Sequence, residues 1–396
     1  MGDMITVLVT DPSSSHTVAA MQSLGRAGYR IVTVSATHKF LRAFGTYSKY
    51  CSAHKKVPSF SSGEEHIDAV IDFATKQKVD VILPISSTSC TLYSKHCDRF
   101  RKVGIRVPIT PWKEGMRIAS SKKLTFEFAK SVNLPIPKTI YYNREDSFES
   151  VKKNLTFPVV IKGPEGANVR YANNDEELAD NIRYFKETFP GGNLLIQEYI
   201  EGNGHGYYAL CKEGKVLCQF MHKRVKEYPI TGGPSVVAQS FYDRDLESLG
   251  RNFVSSLRWT GVCMVEFKHD KKDGVYKLME MNPKFWGSLI LSIKSGVNFP
   301  VYAVRMAMCE DFEPVLKYRQ NLFCHWPFPG EISLIVGFPS EVLSILKILI
   351  TEKNVINLSL SDPIPSFLQI CFGSGSVLKK IWQRKLRYPH GKPLLP

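Results

Sequence analysis

Two short apolar runs in this chain, Val262–Cys263–Met264–Val265–Glu266–Phe267 and Leu278–Met279–Glu280–Met281–Asn282–Pro283–Lys284, each carry one acid at their centre. In a strand, alternate side chains share a face, so Glu280, Asn282 and Lys284 are expected to project together. A neighbouring antiparallel strand would bring Glu266 beside them. Hard oxygen ligands next to a cation suit Mg²⁺ bridging phosphate groups. Two strands with solvated edge acids are the plainer alternative, since most strand glutamates end in water.

The rest of the chain bounds what such a pair could serve. At 396 residues it is too long for one core and points to two or three domains, and 43% hydrophobic with 22% charged residues is ordinary for a soluble globular enzyme. The nine cysteines (51, 90, 97, 211, 218, 263, 309, 324 and 371) include no CxxC pair. With no secretory signal, that count argues against a disulfide framework and for a reducing, cytoplasmic setting. The run Val342–Ile350, interrupted by Ser344 and Lys347, falls short of the roughly 20 apolar residues of a bilayer span.

A net charge of +15 calls for an anionic partner. The basic residues are dispersed, however, and no aromatic-basic signature of an RNA-binding module appears. They crowd only at the C-terminus (Lys379, Lys380, Arg384, Lys385, Arg387, Lys392), where a weak contact with an acidic membrane surface is the minority reading and a solvated tail the commoner one.

The N-terminal part reads as a βαβ unit: a strand at Ile5–Thr10, a helix at Thr17–Ala27 and a strand at Arg30–Val34. Its first loop, Asp11–His16, contains no glycine, which excludes a G-x-G-x-x-G dinucleotide site. The serines there could hold an anion at a helix N-terminus or simply cap the helix. A helix at Glu64–Gln77 and strands at Val79–Ile85 and Ile105–Ile109 complete the unit, with the loop Ser86–Ser89 at a strand end where α/β folds place ligands. Ser120 or Ser121 can cap a following helix that ends at Asn133–Leu134–Pro135. Lys122 and Lys123 then occupy its first turn, the unfavourable end for a cation.

Pro158–Lys162 reads as a buried strand ending in a lysine and followed by the turn Gly163–Val169, whose glycines Gly163 and Gly166 let backbone N–H groups close over phosphates. The spacing is not that of a GxxxxGK[ST] loop. About thirty residues later, Leu194–Leu195–Ile196–Gln197–Glu198–Tyr199–Ile200–Glu201–Gly202 runs from an apolar strand into an acidic, glycine-bearing segment. It could meet an adenine edge or be a simple turn.

The order Lys122, Lys162 with its glycine turn, Gln197–Gly202, Glu266 and Glu280–Met281–Asn282–Pro283 resembles the ATP-grasp superfamily, in particular its carbamoyl-phosphate-synthetase-like carboxylate–amine ligases, over about residues 1–310. The resemblance implies an α/β and α+β fold: a Rossmann-like pre-ATP-grasp domain (1–111), an ATP-grasp N-terminal subdomain with linker helices (112–200), a C-terminal metal-binding subdomain (201–312), and a C-terminal extension (313–396). It implies ATP with Mg²⁺, or Mn²⁺ in its place. Lys122 and Lys162 would touch the phosphates, Gly163–Val169 would form a phosphate lid, Gln197, Glu198, Ile200 and Glu201 would lie at the adenine hinge, and Glu266, Glu280 and Asn282 would hold the metal. Lys284 stands where the family usually has an arginine that steadies the transferred phosphoryl group, keeping the charge and losing the planar fork.

Between hinge and metal strands, His222–Lys223–Arg224 and Thr231–Ser235 offer cationic and N–H groups, with Arg224 the preferred clamp for a carboxylate or phosphoryl group and a basic strand edge the plainer alternative. The reaction expected is ATP-dependent joining of a small or polymer-linked carboxylate to an amine through an acyl phosphate, with release of ADP and phosphate. A carbamate- or carboxylate-phosphorylating enzyme, an inactive nucleotide-binding module and a nucleic-acid-binding protein are the alternatives, and a homo-oligomer is compatible with each.

Overall fold

Five consecutive buried residues, Thr6–Thr10, form the first strand (β1) of a four-stranded parallel sheet. The computed structural model describes residues 4–37, 40–143, 146, 148–163, 169–189, 193–230 and 233–383. With β2 (Arg30–Ser35), β3 (Cys51–Lys56) and β4 (Val81–Leu83), the sheet order is β3-β2-β1-β4. Strands β1, β2 and β4 read as near-continuous apolar runs because helices cover both faces, as parallel sheets require. The helix Ser15–Arg26 makes the crossover from β1 to β2.

The strand expected at Ile105–Ile109 is reduced to two isolated bridges, Val81 with Arg106 and Ile109 with Gly261. Pro108, in its middle, has no N–H to give a ladder. The two serine loops beside β1 and β4 cap their own helices: Ser14 accepts from Thr17, and Ser86 forms a capping box with Ser89. They are also tied together, since the Asp11 carboxylate accepts from the Ser86 N–H at 3.1 Å and the Ser89 hydroxyl at 2.7 Å.

A second, antiparallel sheet is ordered β5-β8-β6-β7, from β5 (Thr139–Tyr142), β6 (Val159–Lys162), β7 (Val169–Ala172) and β8 (Leu194–Glu198). The helix Asp175–Thr188, capped by Asn174, lays Leu178, Ile182 and Phe185 on Ile161 and Ile196.

The third sheet has seven strands, β9 (Gly204–Lys212), β10 (Lys215–Glu227), β11 (Ser235–Ser240), β12 (Gly261–His269), β13 (Tyr276–Asn282), β14 (Leu322–His325) and β15 (Lys353–Ile356), in the order β13-β12-β9-β10-β11-β14-β15. Period-two alternation divides its side chains between two cores. Tyr207, Ala209 and Cys211 of β9 join Trp259 and Phe253 on one face, while Tyr208 and Leu210 join Trp286, Phe299 and the N-terminal sheet on the other.

Residues 313–396, expected as an extension, supply β14 and β15 to this sheet. The helix Pro363–Trp382 begins at the buried carboxylate of Asp362, which accepts from Gln22 Nε2 at 3.0 Å, Ser48 Oγ at 2.6 Å and the Lys49 N–H at 3.0 Å. Chain ends some 340 residues apart in sequence are thereby joined. The nine cysteines are free. Among the described residues no helix is long and apolar enough to cross a membrane.

Candidate active site

Antiparallel pairing sets Glu266 of β12 directly opposite Glu280 of β13, and Met264 opposite Asn282. Directly paired residues share a face, so the two carboxylates and the Asn282 amide converge. Asn282 Nδ2 donates to Glu280 Oε1 at 2.7 Å and to Glu266 Oε1 at 3.4 Å. Glu280 also meets Lys122 Nζ at 3.2 Å, and Glu266 meets the Arg224 guanidinium of β10. Arg224 further donates to the Gly233 carbonyl at 3.1 Å and lies 3.7 Å from Glu227.

The expected strand ran on to Lys284, but β13 ends at Asn282. Pro283 has no N–H with which to continue the ladder, and the Lys284 N–H turns back to the Asn282 carbonyl at 2.9 Å. Lys284 therefore leaves the face shared by Glu280 and Asn282, and its charge acts on His16 and Cys90 beside the N-terminal sheet.

The second sheet supplies the opposing wall. Lys162, at the end of β6, is buried and donates to Gln197 Oε1 at 2.7 Å, while Gln197 Nε2 donates to Thr139 Oγ1 at 2.8 Å. Ser121 caps the helix Lys122–Ser131, which places Lys122 in its first turn. A cavity of about 810 Å³ lies between these walls, lined by Lys122, Lys162, Gly163, Leu195, Glu280 and Asn282 among others. Gly166 and most of the Gly163–Val169 turn, like Thr231 and Gly232, lie outside the described residues.

At the expected hinge, Glu198 accepts from the Lys138 N–H at 3.0 Å and meets Lys277 at 3.4 Å. Ile200 is buried and its carbonyl holds Lys268 Nζ at 3.1 Å. Glu201 forms a surface ion pair with Lys271 at 2.9 Å.

Burial dominates the electrostatics. It pushes the Lys162 ammonium down to about 7, helped by the nearby charge of Lys122. Burial pushes Glu266 up to about 7 against the pull of Arg224, with Glu280 and Glu227 adding repulsion. Glu280 goes the other way: burial raises it, but Lys122, the Asn282 hydrogen bond and Lys162 together hold it below the usual carboxylate range. The pair thus carries one firmly ionised carboxylate and one that ionises readily when a further cation arrives.

Two groups escaped the sequence reading. Lys268 follows Glu266 by two residues, a spacing that could have flagged it, and its ammonium lies 5.2 Å over the Tyr199 ring. Glu227 follows Arg224 by three, out of strand period, and reaches it because β10 is irregular between Arg224 and Glu227.

The donor set is hard: the Glu280 carboxylate and the Asn282 amide line a cavity flanked by lysines, and the Glu266 carboxylate pairs with Glu280 from the neighbouring strand. Among the described residues no group of three or more His, Cys, Asp or Glu side chains is arranged to hold a metal ion by itself. A divalent ion here would depend on ligand oxygens to complete its shell, which fits Mg²⁺ shared with phosphates better than a site closed by protein alone. Fold and site together define a cleft with acidic and amide groups beside two lysines.

The family model for "ATP-grasp in the biosynthetic pathway with Ter operon" matches residues 191–323, the stretch from β8 through β14. The carbamoyl phosphate synthase large chain of Methanobrevibacter smithii is 25% identical over 317 residues, covering 70% of this chain and 30% of that one. The phosphoribosylamine–glycine ligase of Clostridium acetobutylicum is 26% identical over 193 residues, 45% of each chain. The chain thus spans between about a third and a half of the length of these curated relatives. Among solved structures, the biotin carboxylase domain of Hydrogenobacter thermophilus 2-oxoglutarate carboxylase, in complex with MgADP and bicarbonate, superimposes with a TM-score of 0.64 at 18% identity, covering 80% of this chain and 73% of that one. The L-amino acid ligase of Bacillus licheniformis gives 0.61 at 16% identity, covering 77% and 74%. The chain thus shares its fold with these ATP-dependent ligases and carboxylases, and residues 191–323 match an ATP-grasp family model.

Proposed function

We propose that this chain is an ATP-dependent ligase that joins a carboxylate to an amine and releases ADP and phosphate. The observation that carries the reading is a cavity lined by Glu280 and Asn282 together with Lys122 and Lys162, with Glu266 paired directly opposite Glu280 on the neighbouring strand. Glu266, Glu280 and Asn282 would hold Mg²⁺, which when bound neutralises charge on the β- and γ-phosphates. Lys122 and Lys162 bind phosphate oxygens. Gly163 lines the cavity beside Lys162, and Gln197, Glu198, Ile200 and Glu201 belong to the segment that meets the base.

Arg224 clamps the acceptor carboxylate, and Lys284 contributes long-range positive charge. A carboxylate oxygen attacks the γ-phosphorus, the bond to the bridging oxygen breaks, and ADP leaves. The amine nitrogen then attacks the acyl carbon, the carbon–oxygen bond to phosphate breaks, and the amine's proton passes to the departing phosphate or to water. Relatives named for carbamoyl phosphate synthesis and for ligation of glycine to phosphoribosylamine support this class of reaction.

The test is release of ADP and phosphate by the purified chain with Mg²⁺ and ATP, given pooled carboxylic acids and pooled amines. Release is expected only with both pools present. Equal release with the acids alone would favour a carboxylate-phosphorylating enzyme, and ATP binding without release under broad substrate pools would favour an inactive module.

A further inference from the structure

A second cavity, of about 540 Å³, begins at Arg224 and Glu266 and runs away from the lysine-lined one. With Arg224, Glu266 and Lys380 as its charged groups, its lining includes the aromatic side chains of Tyr208, Tyr228, Trp286, Trp326, Phe328 and Phe372. Three of these come from beyond residue 312, and the helix Pro363–Trp382 closes the cavity with Gly373, Ser376 and Lys380, the last lying 4.7 Å over the Tyr228 ring. The C-terminal extension is therefore wall material for a chamber opening on Arg224 and the candidate metal carboxylate Glu266.

Trp286 Nε1 and His222 Nδ1 of its lining are buried with no hydrogen-bond partner among the described residues. The other ring nitrogen of His222 is tied to the Tyr208 hydroxyl. An indole N–H can only donate, and leaving it buried without an acceptor is costly.

We infer that this cavity holds the body of the carboxylate substrate, and that this substrate is an aromatic or branched-alkyl carboxylic acid. The assignment rests on the ligase reading, which puts the acid's carboxylate at Arg224. Chambers of this size that combine large aromatic side chains with a charged group at one end suit compact apolar ligands bearing one anionic group. A bicarbonate ion would leave the space unfilled, and a short dicarboxylate would leave most of the aromatic wall uncovered.

The probes are 3-phenylpropanoate and 4-methylpentanoate against acetate and succinate, titrated into the full chain with fluorescence of Trp286 and Trp326 as readout, and MgATP titrated separately. The apolar acids are expected to bind at least about tenfold more tightly than acetate or succinate, since each added methylene in a fitted pocket is worth about tenfold or more. Ser376→Trp, an exposed position on the rim, should abolish that preference while MgATP affinity stays at the parent value. Phe372→Ala, 36% exposed, should reduce it without filling the chamber. A flat panel, a preference for succinate, or an unchanged preference in both variants would overturn the assignment. Failure of the wild type to bind MgATP, with the acid preference intact, would instead overturn the ligase reading.

A different observation carries a second inference. The helix Pro363–Trp382 is oriented with its small residues inward: Ser366, Gly373 and Val377 are buried, while Ile364, Phe367, Leu378 and Trp382 are 53%, 63%, 66% and 85% exposed. Those four share one stripe at helical periodicity. The helix Glu341–Thr351 likewise exposes Leu343 and Ile350, at 77% and 81%. Lys347, Lys353 and Lys379 stand exposed on or beside these helices, and the sequence adds Arg384, Lys385 and Arg387 directly after.

We infer that this face rests on an anionic lipid bilayer, its apolar side chains in the acyl boundary and its lysines at the headgroups. A second copy of a chain with net charge +15 would bring like charge to the same face. The test is co-sedimentation of the full chain with phosphatidylcholine vesicles, with and without phosphatidylserine. Binding is expected only with phosphatidylserine, weakening with salt, and the triple variant Phe367→Glu, Leu378→Glu, Trp382→Glu should stay in solution. Absence of binding to both vesicles, retention by the triple variant, or a dimer in solution that the triple variant dissolves without any vesicle binding would each overturn it.

Discussion

Glu280→Gln should fold as the parent does and lose Mg²⁺-dependent ATP turnover by about 100-fold or more. Glutamine keeps the volume and can still accept from Asn282, so the local hydrogen bond at 2.7 Å survives. What goes is the one carboxylate of the pair that its neighbours hold firmly ionised. Lys122, now 3.2 Å from a neutral amide, retains its charge for phosphate, so ATP binding without metal should fall far less than turnover. Initial rates of ADP release across a Mg²⁺ titration, with a thermal melt as control, measure both. A variant with full turnover would remove the metal assignment.

Lys162→Met should produce two effects of opposite sign. ATP affinity should fall by roughly 10- to 100-fold, the range of one charge-assisted phosphate contact. Nucleotide-free stability should rise. The folded-state value of Lys162, about 7, lies below the ordinary lysine value of 10.5, so between those pH values the unfolded chain binds the additional proton. Stability of the parent therefore climbs as pH rises through that window, and the penalty is present in full below about pH 7. At pH 6 the methionine variant should gain on the order of 1–3 kcal/mol, after about 1 kcal/mol is lost because Gln197 no longer has its donor. The gain should vanish near pH 10. Urea titrations at pH 6 and pH 10 check the sign. Calorimetry in two buffers checks the counterpart, uptake of a proton when the parent binds ATP near pH 8, absent in the variant.

The parts of this site visible in the sequence were those governed by strand periodicity. Glu266, Glu280 and Asn282 sit where alternation puts them, because β12 and β13 pair without a slip from Met264 to Glu266. Lys284 obeys the same arithmetic on paper and departs from it because Pro283 ends the ladder. Glu227 reaches Arg224 through an irregular stretch of β10, which no period-two count reveals. The Lys162–Gln197 contact needs β6 and β8 to be neighbours, a pairing between strands some thirty-five residues apart.

The C-terminal segment was hardest to read for a related reason. Its strands complete a sheet begun at residue 204, and Asp362 finds its partners at Gln22, Ser48 and Lys49. Nor could sequence tell that the helix Pro363–Trp382 turns its apolar side outward, since an amphipathic pattern fixes two faces but not which one is buried.

Oxygen transfer from the substrate carboxyl group to phosphate tests the central claim most directly. The chain would be supplied with Mg²⁺, ATP, pooled amines and aromatic acids labelled with oxygen-18 in the carboxyl group, and the released phosphate analysed by mass spectrometry. An acyl phosphate formed at Arg224 and broken by an amine delivers one labelled oxygen to each phosphate released. Phosphate released without label while ADP accumulates would mean that water, not a carboxylate, accepts the phosphoryl group, and would contradict the account.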